Sequence, residues 1–110
     1  MILDELYEVI LERIKSADPE KSYVAKLHSL GEERILKKVS EECFELMLAS
    51  KDKKRDAIIY ETADLLFHVL ILLAEREIKP DEVFDELKRR FGISGLEEKK
   101  QRKGEKNESS

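Results

Sequence analysis

The chain has one cysteine, two prolines, four glycines and no tryptophan among its 110 residues, and these scarcities narrow the choices before any motif is read. A single thiol, Cys43, excludes an internal disulfide framework and fits a reducing, cytoplasmic setting. So few glycines and prolines argue against a fold made of many turns and favour long helices. Positive charge is not in excess: 21 Lys and Arg against 25 Asp and Glu leave a net charge of −4, the wrong sign for a general nucleic-acid binder. The start of the sequence, MILDELYEVI, is amphipathic and acidic rather than basic and then apolar, so it does not read as a signal peptide. The strongly apolar run ADLLFHVLILLA, Ala63 to Ala74, is shorter than the roughly 20 residues that span a bilayer. The expectation is a soluble cytoplasmic protein with neither nucleic acid nor membrane as partner.

What is present is helical periodicity. Leu3, Leu6, Val9, Ile10 and Ile14 recur at the spacing of an amphipathic helix over about 2–16, which Pro19 punctuates. Ser22 is placed to cap a short helix, SYVAKLHSL, that stops at Gly31. EERILKKVSEECFELMLAS predicts a long helix over 32–50, and a second should run from about 56 to 78 and end before Pro80. Between them KDKKRD forms a short polar connection. PDEVFDELKRRF begins with proline and acidic residues, both favourable in a first helical turn, and Gly92 ends it. The fold class is therefore all-α, a four-to-five-helix chain around a central antiparallel hairpin. Its domain covers 1–97, and a polar, mixed-charge tail at 98–110 is expected to be disordered.

Within that apolar run stand only two polar residues, Asp64 and His68. A buried carboxylate is costly unless it is paired, hydrogen-bonded or bound to a cation, so Asp64 either sits at an edge or has a positive partner. Glu42 and Glu45 share one helix face, as do Glu61 and Asp64. A hairpin turning near Lys53 brings Glu42 opposite Asp64, Glu45 opposite Glu61 and Lys38 opposite His68. Four carboxylates at one level repel one another unless a divalent cation neutralises them. An all-oxygen donor set favours Mg²⁺ or Mn²⁺ over zinc. The competing explanation for each acid is solvation and pairing with the many lysines, and it weighs most for Glu41.

SEECFE followed by ETAD has the form ExxE, then ExxD after a short loop. It resembles the signature of the MazG-like all-α nucleotide pyrophosphohydrolases. ILKKVSEECFEL, ETADLLFHVLILLA, FGISGLEEK and SYVAKL more narrowly resemble the phosphoribosyl-ATP pyrophosphohydrolases of histidine biosynthesis, over about residues 2–99. The resemblance implies Mg²⁺-dependent hydrolysis of phosphoribosyl-ATP to phosphoribosyl-AMP and pyrophosphate, by a homodimer of paired helical hairpins. It implies Glu42, Glu45, Glu61 and Asp64 as metal ligands, with Glu41 completing an EExxE form. Ser40 departs from the family's usual glycine, and Cys43-Phe44 from smaller residues.

On that reading Glu45 or Glu41 is the general base. Lys38, Lys51, Lys54 and Arg55 are phosphate contacts or else solvated surface charge. His68 either supports a carboxylate, touches substrate, or is a buried histidine satisfied by a neighbouring helix. Cys43 is expected to pack in the core. Ser94-Gly95 and Lys99 are tied to the site by resemblance alone. Residues 65–74 carry more apolar surface than so small a bundle covers, which points to a dimer and leaves a higher oligomer open. Two rivals remain. One is a house-cleaning pyrophosphohydrolase of free nucleoside triphosphates; the other is a non-catalytic helical dimerisation module. A di-iron protein would want Glu-x-x-His, which neither 42–45 nor 61–64 offers.

Overall fold

A computed structural model describes residues 1–92, so the expectations for the 98–110 tail, the domain end at 97, Ser94-Gly95 and Lys99 lie outside the described residues. Among the described residues the regular structure is helical: α1 (Ile2–Ser16), α2 (Tyr23–Leu30), α3 (Glu32–Lys51), α4 (Arg55–Glu75) and α5 (Pro80–Arg89), with a short 3₁₀ turn at Arg90–Gly92. Two compact units divide the chain after Pro80. The first holds α1 to α4; the described part of the second is the body of α5 and the 3₁₀ turn.

The boundaries follow from local chemistry. Ser22 accepts a hydrogen bond from the Ala25 amide at 3.2 Å and caps α2. Gly31, at φ +100°, separates α2 from α3 in a conformation that residues with a Cβ rarely adopt. The α3–α4 turn is Asp52–Lys54, with Lys53 in the left-handed region at φ 55°, where the expected hairpin turns. α4 ends at Glu75 rather than near 78. There Glu77 adopts a positive φ of 56°, and the Ile78 amide donates to the Leu73 carbonyl at 2.9 Å, closing the helix before Pro80.

Helices α3 and α4 lie against each other as the hairpin, and α1 and α2 pack across one end of it. The core there is Tyr7, Ile10, Val24, Leu27, Ile35, Leu70, Ile71 and Ala74. A hydrogen bond between His28 and Glu75 and an ion pair from Arg76 to Glu32 lie at the surface of that end. Toward the turn the hairpin is uncovered: Phe44, Met47, Leu48, Ile59, Tyr60 and Leu66 are exposed. Cys43 is exposed too, contrary to its expected place in the core. The reason is geometric, since Cys43 lies on a face of α3 that no helix of the first unit covers. α4, with 21 residues and a mean hydropathy of 1.8 over its most apolar 18, is long and apolar enough by length and composition to cross a membrane, although the uninterrupted run within it is shorter. Its most buried residues form the stripe His68, Leu70, Ile71 and Ala74 that faces the bundle.

Candidate metal centre

Glu42 is the one acid buried in α3, only 6% exposed, and it faces α4 midway along the hairpin. Opposite it are Asp64 and, one turn on, His68. One ligand atom from each of the three lies within 4.8 Å of the others. A carboxylate oxygen of Glu42 and one of Asp64 lie within 4.8 Å of each other. Two anions that close repel one another, and a cation between them relieves the repulsion. Burial pushes the Glu42 carboxyl up, the neighbouring Asp64 pushes it further, and Lys38 opposes both. Lys38 reaches down from one turn earlier, its Nζ 3.4 Å from Glu42 and 3.3 Å from Glu41. Burial alone would lower the Lys38 pKa, but hydrogen bonds to Glu41 and Glu42 and the nearby Tyr23 outweigh it and hold the ammonium up.

His68 is 3% exposed and fully partnered. Its Nδ1 lies 2.8 Å from the Asp64 backbone carbonyl and 3.7 Å from Asp64 Oδ1. On the other side its Nε2 is 2.7 Å from the Tyr23 hydroxyl, which α2 delivers. Phe67 and Tyr23 both meet the imidazole edge-on, at centroid distances of 5.5 and 5.6 Å. Burial pushes the Tyr23 phenol up; Asp64, Glu42 and Glu41 add to that, and Lys38 counters it.

The structure thus brings together Glu42, Asp64, His68, Lys38 and Glu41. Glu45 and Glu61 are outside the close group of ligand atoms: Glu45 is exposed and Glu61 half-buried, each one turn nearer the hairpin tip. Lys51, Lys54 and Arg55 are exposed at that tip, with Lys51 about 13 Å along α3 from Glu42 at 1.5 Å per residue. Tyr23 was missed as a site residue by reasoning on periodicity, which cannot say where a short helix docks. Its one sequence signal was SYVAKL, noted only as part of the resemblance.

The donor set suits a hard divalent ion. Two carboxylates facing each other across a hairpin, one buried and raised, are the oxygen ligands that Mg²⁺ or Mn²⁺ takes.

The phosphoribosyl-ATP pyrophosphohydrolase family model matches residues 3–91. The chain belongs to that family. A phosphoribosyl-ATP pyrophosphatase of Geobacter sulfurreducens is 55% identical over 101 residues, covering 92% of this chain and 93% of the relative. The proteins of that name from Trichlorobacter lovleyi and Geotalea daltonii are 56% and 54% identical, over 93% and 92% of this chain and 94% of each relative. Ser40 is exposed, beside but not among the grouped acids, and Cys43 and Phe44 lie on the uncovered face.

Proposed function

We propose that this chain hydrolyses phosphoribosyl-ATP to phosphoribosyl-AMP and pyrophosphate, the second step of histidine biosynthesis, with Mg²⁺ (or Mn²⁺) held by its acidic cluster. The observation that carries the reading is the meeting of Glu42 and Asp64 across the hairpin, in a chain matched over residues 3–91 by this family. When bound, Mg²⁺ supplies charge neutralisation and Lewis acidity to the phosphoanhydride. Glu42 and Asp64 hold it, and Glu61 and Glu45 extend the carboxylate set toward the tip.

The attacking water gives up its proton to a carboxylate not engaged in binding. Glu45 is better placed than Glu41 for that role, since Lys38 already occupies Glu41. Lys38 is the cation at the cluster itself and meets phosphate oxygens there as a point charge. Lys51, Lys54 and Arg55, at the tip, serve more distant parts of an extended substrate. His68 touches no substrate in this reading; it supports Asp64.

The same reading includes a homodimer in the cytoplasm. Phe44, Met47, Ile59 and Tyr60 are 54, 57, 56 and 68% exposed, and they lie together on the half of the hairpin that α1 and α2 leave bare. An apolar strip of that kind, left wet, is unusual in a monomer. A second copy presenting its own hairpin covers it and lies beside Glu45 and Glu61.

The test pairs substrate with substitution. Purified protein is offered phosphoribosyl-ATP or a panel of nucleoside triphosphates with Mg²⁺, and pyrophosphate is followed. Phosphoribosyl-ATP should be turned over in preference to the whole panel. Gln or Asn at Glu42, Glu45, Glu61 and Asp64 should each abolish release while the helical circular dichroism stays intact. Preference for a simple triphosphate, or full activity in two of the four variants, refutes the assignment.

A further inference from the structure

We propose that Tyr23 sets the metal preference of the cluster by holding both nitrogens of His68 away from coordination. This rests on the reading that Glu42 and Asp64 bind a divalent ion. A ring nitrogen of His68 is close enough to serve beside those oxygens, within 4.8 Å of both. An imidazole in that position would ordinarily draw zinc, nickel or copper, all of which bind nitrogen more tightly than Mg²⁺ does.

The hydrogen bonds withhold it. A backbone carbonyl can only accept, so at 2.8 Å from the Asp64 carbonyl Nδ1 must carry the hydrogen. In the neutral ring the remaining lone pair is on Nε2, and the Tyr23 hydroxyl donates to it across 2.7 Å. In the protonated ring both nitrogens are donors. Neither state leaves a lone pair free.

The ring is also held in place sideways. Phe67 and Tyr23 meet it edge-on, and at 3% exposure it has no solvent to turn into. Tyr23 comes from α2 while the other members of the cluster come from the hairpin, so its hydroxyl acts as an independent latch. It is a positioning residue: it acts on the metal through His68. With the hydroxyl gone, Nε2 loses its partner and the imidazole is free to exchange tautomers and offer a nitrogen.

The experiment reads coordination directly. Mn²⁺ is bound to wild type and to Tyr23→Phe, each labelled with ¹⁵N-histidine or unlabelled, and electron spin-echo modulation reports any directly coordinated nitrogen. Zn²⁺ and Mn²⁺ affinities are measured alongside by calorimetry. Wild type should show no coordinated nitrogen. Tyr23→Phe should show one that changes with the histidine label, and its Zn²⁺ affinity should rise about tenfold relative to Mn²⁺, the scale on which outer hydrogen bonds tune metal sites. A coordinated nitrogen already in wild type overturns the inference, even if the variant folds poorly. So does an unchanged Zn²⁺ to Mn²⁺ ratio in a folded variant. Failure of wild type to bind Mn²⁺ at all refutes the metal reading, and this inference falls with it.

Discussion

Replacing Glu42 by glutamine separates what the cluster costs from what it gains with metal. In the metal-free protein the Glu42 carboxylate is 6% exposed, has an Asp64 oxygen within 4.8 Å and has the Lys38 ammonium 3.4 Å away. At an effective dielectric of about 20, unit charges about 4 Å apart interact by about 4 kcal/mol. Repulsion from Asp64 and attraction to Lys38 therefore largely cancel, and the dehydration of a buried anion is left as a net cost. The raised pKa of Glu42 has that sign. Glutamine keeps the shape, an oxygen for Lys38 and an N–H for Asp64, and has no charge to dehydrate.

Glu42→Gln should therefore be more stable than wild type in EDTA, by on the order of 1 kcal/mol, or about 4–8 °C in melting temperature for a domain of this size. Excess Mg²⁺ should reverse the order. Wild type gains about 2.7 kcal/mol when the ion is at a hundred times its Kd, and the variant gains little. Thermal melts by circular dichroism, with EDTA and with Mg²⁺, read both effects. The advantage in EDTA should also shrink as pH falls. A carboxyl raised in the fold costs stability above its folded pKa, and that cost disappears once the pH is below the ordinary carboxylate value. A variant less stable than wild type in EDTA, or one that keeps the wild-type Mg²⁺ response, refutes the reasoning.

Lys38→Met leaves Glu41 and Glu42 without their cation and should cost about 1–3 kcal/mol in metal-free urea unfolding, with Mg²⁺ recovering part of the loss. Ile71→Ala opens a cavity at a fully buried site and should cost about 2–5 kcal/mol in the same assay. In α5 the Arg89 guanidinium, aided by Arg90, holds the Glu86 carboxyl down to about 2. Its contribution to stability is thus present above the ordinary carboxylate value and lost as pH falls toward 2; titration of that carboxyl by NMR checks it. Phe44→Glu and Met47→Glu place charge on the uncovered strip and should give monomers in analytical ultracentrifugation with helicity retained.

Much of this arrangement is legible in the sequence because two helices of similar length joined by a short turn have few ways to align. Once Lys53 is taken as the turn, Glu42 must face Asp64, and it does. The end of α4 was placed too late because nothing in REIKP announces that Glu77 will take a left-handed conformation. Cys43 was assigned to the core because periodicity marks an apolar face without saying whether this chain or another molecule covers it. Tyr23 was invisible as a site residue for a related reason. Its role depends on how α2 docks against the hairpin, and that docking is set by Val24 and Leu27 meeting the core formed with α1 and α4.

The cluster stands at the boundary between the half of the hairpin clothed by α1 and α2 and the half left bare. On the clothed side Ile35, Leu70 and Ile71 are packed tightly enough to fix the backbone that carries Glu42 and Asp64. On the bare side Glu45 and Glu61 stay reachable from solvent. The proposed function, which asks one site to hold a dehydrated ion and admit a large anionic substrate, needs both conditions, rigid ligands behind and open space in front. Lys38 fits the same logic. It is the cation that Glu41 and Glu42 share; on the proposed function, Glu42 and Asp64 would hold the divalent ion and Lys38, relieved of part of its pairing, would be available to phosphate oxygens beside them.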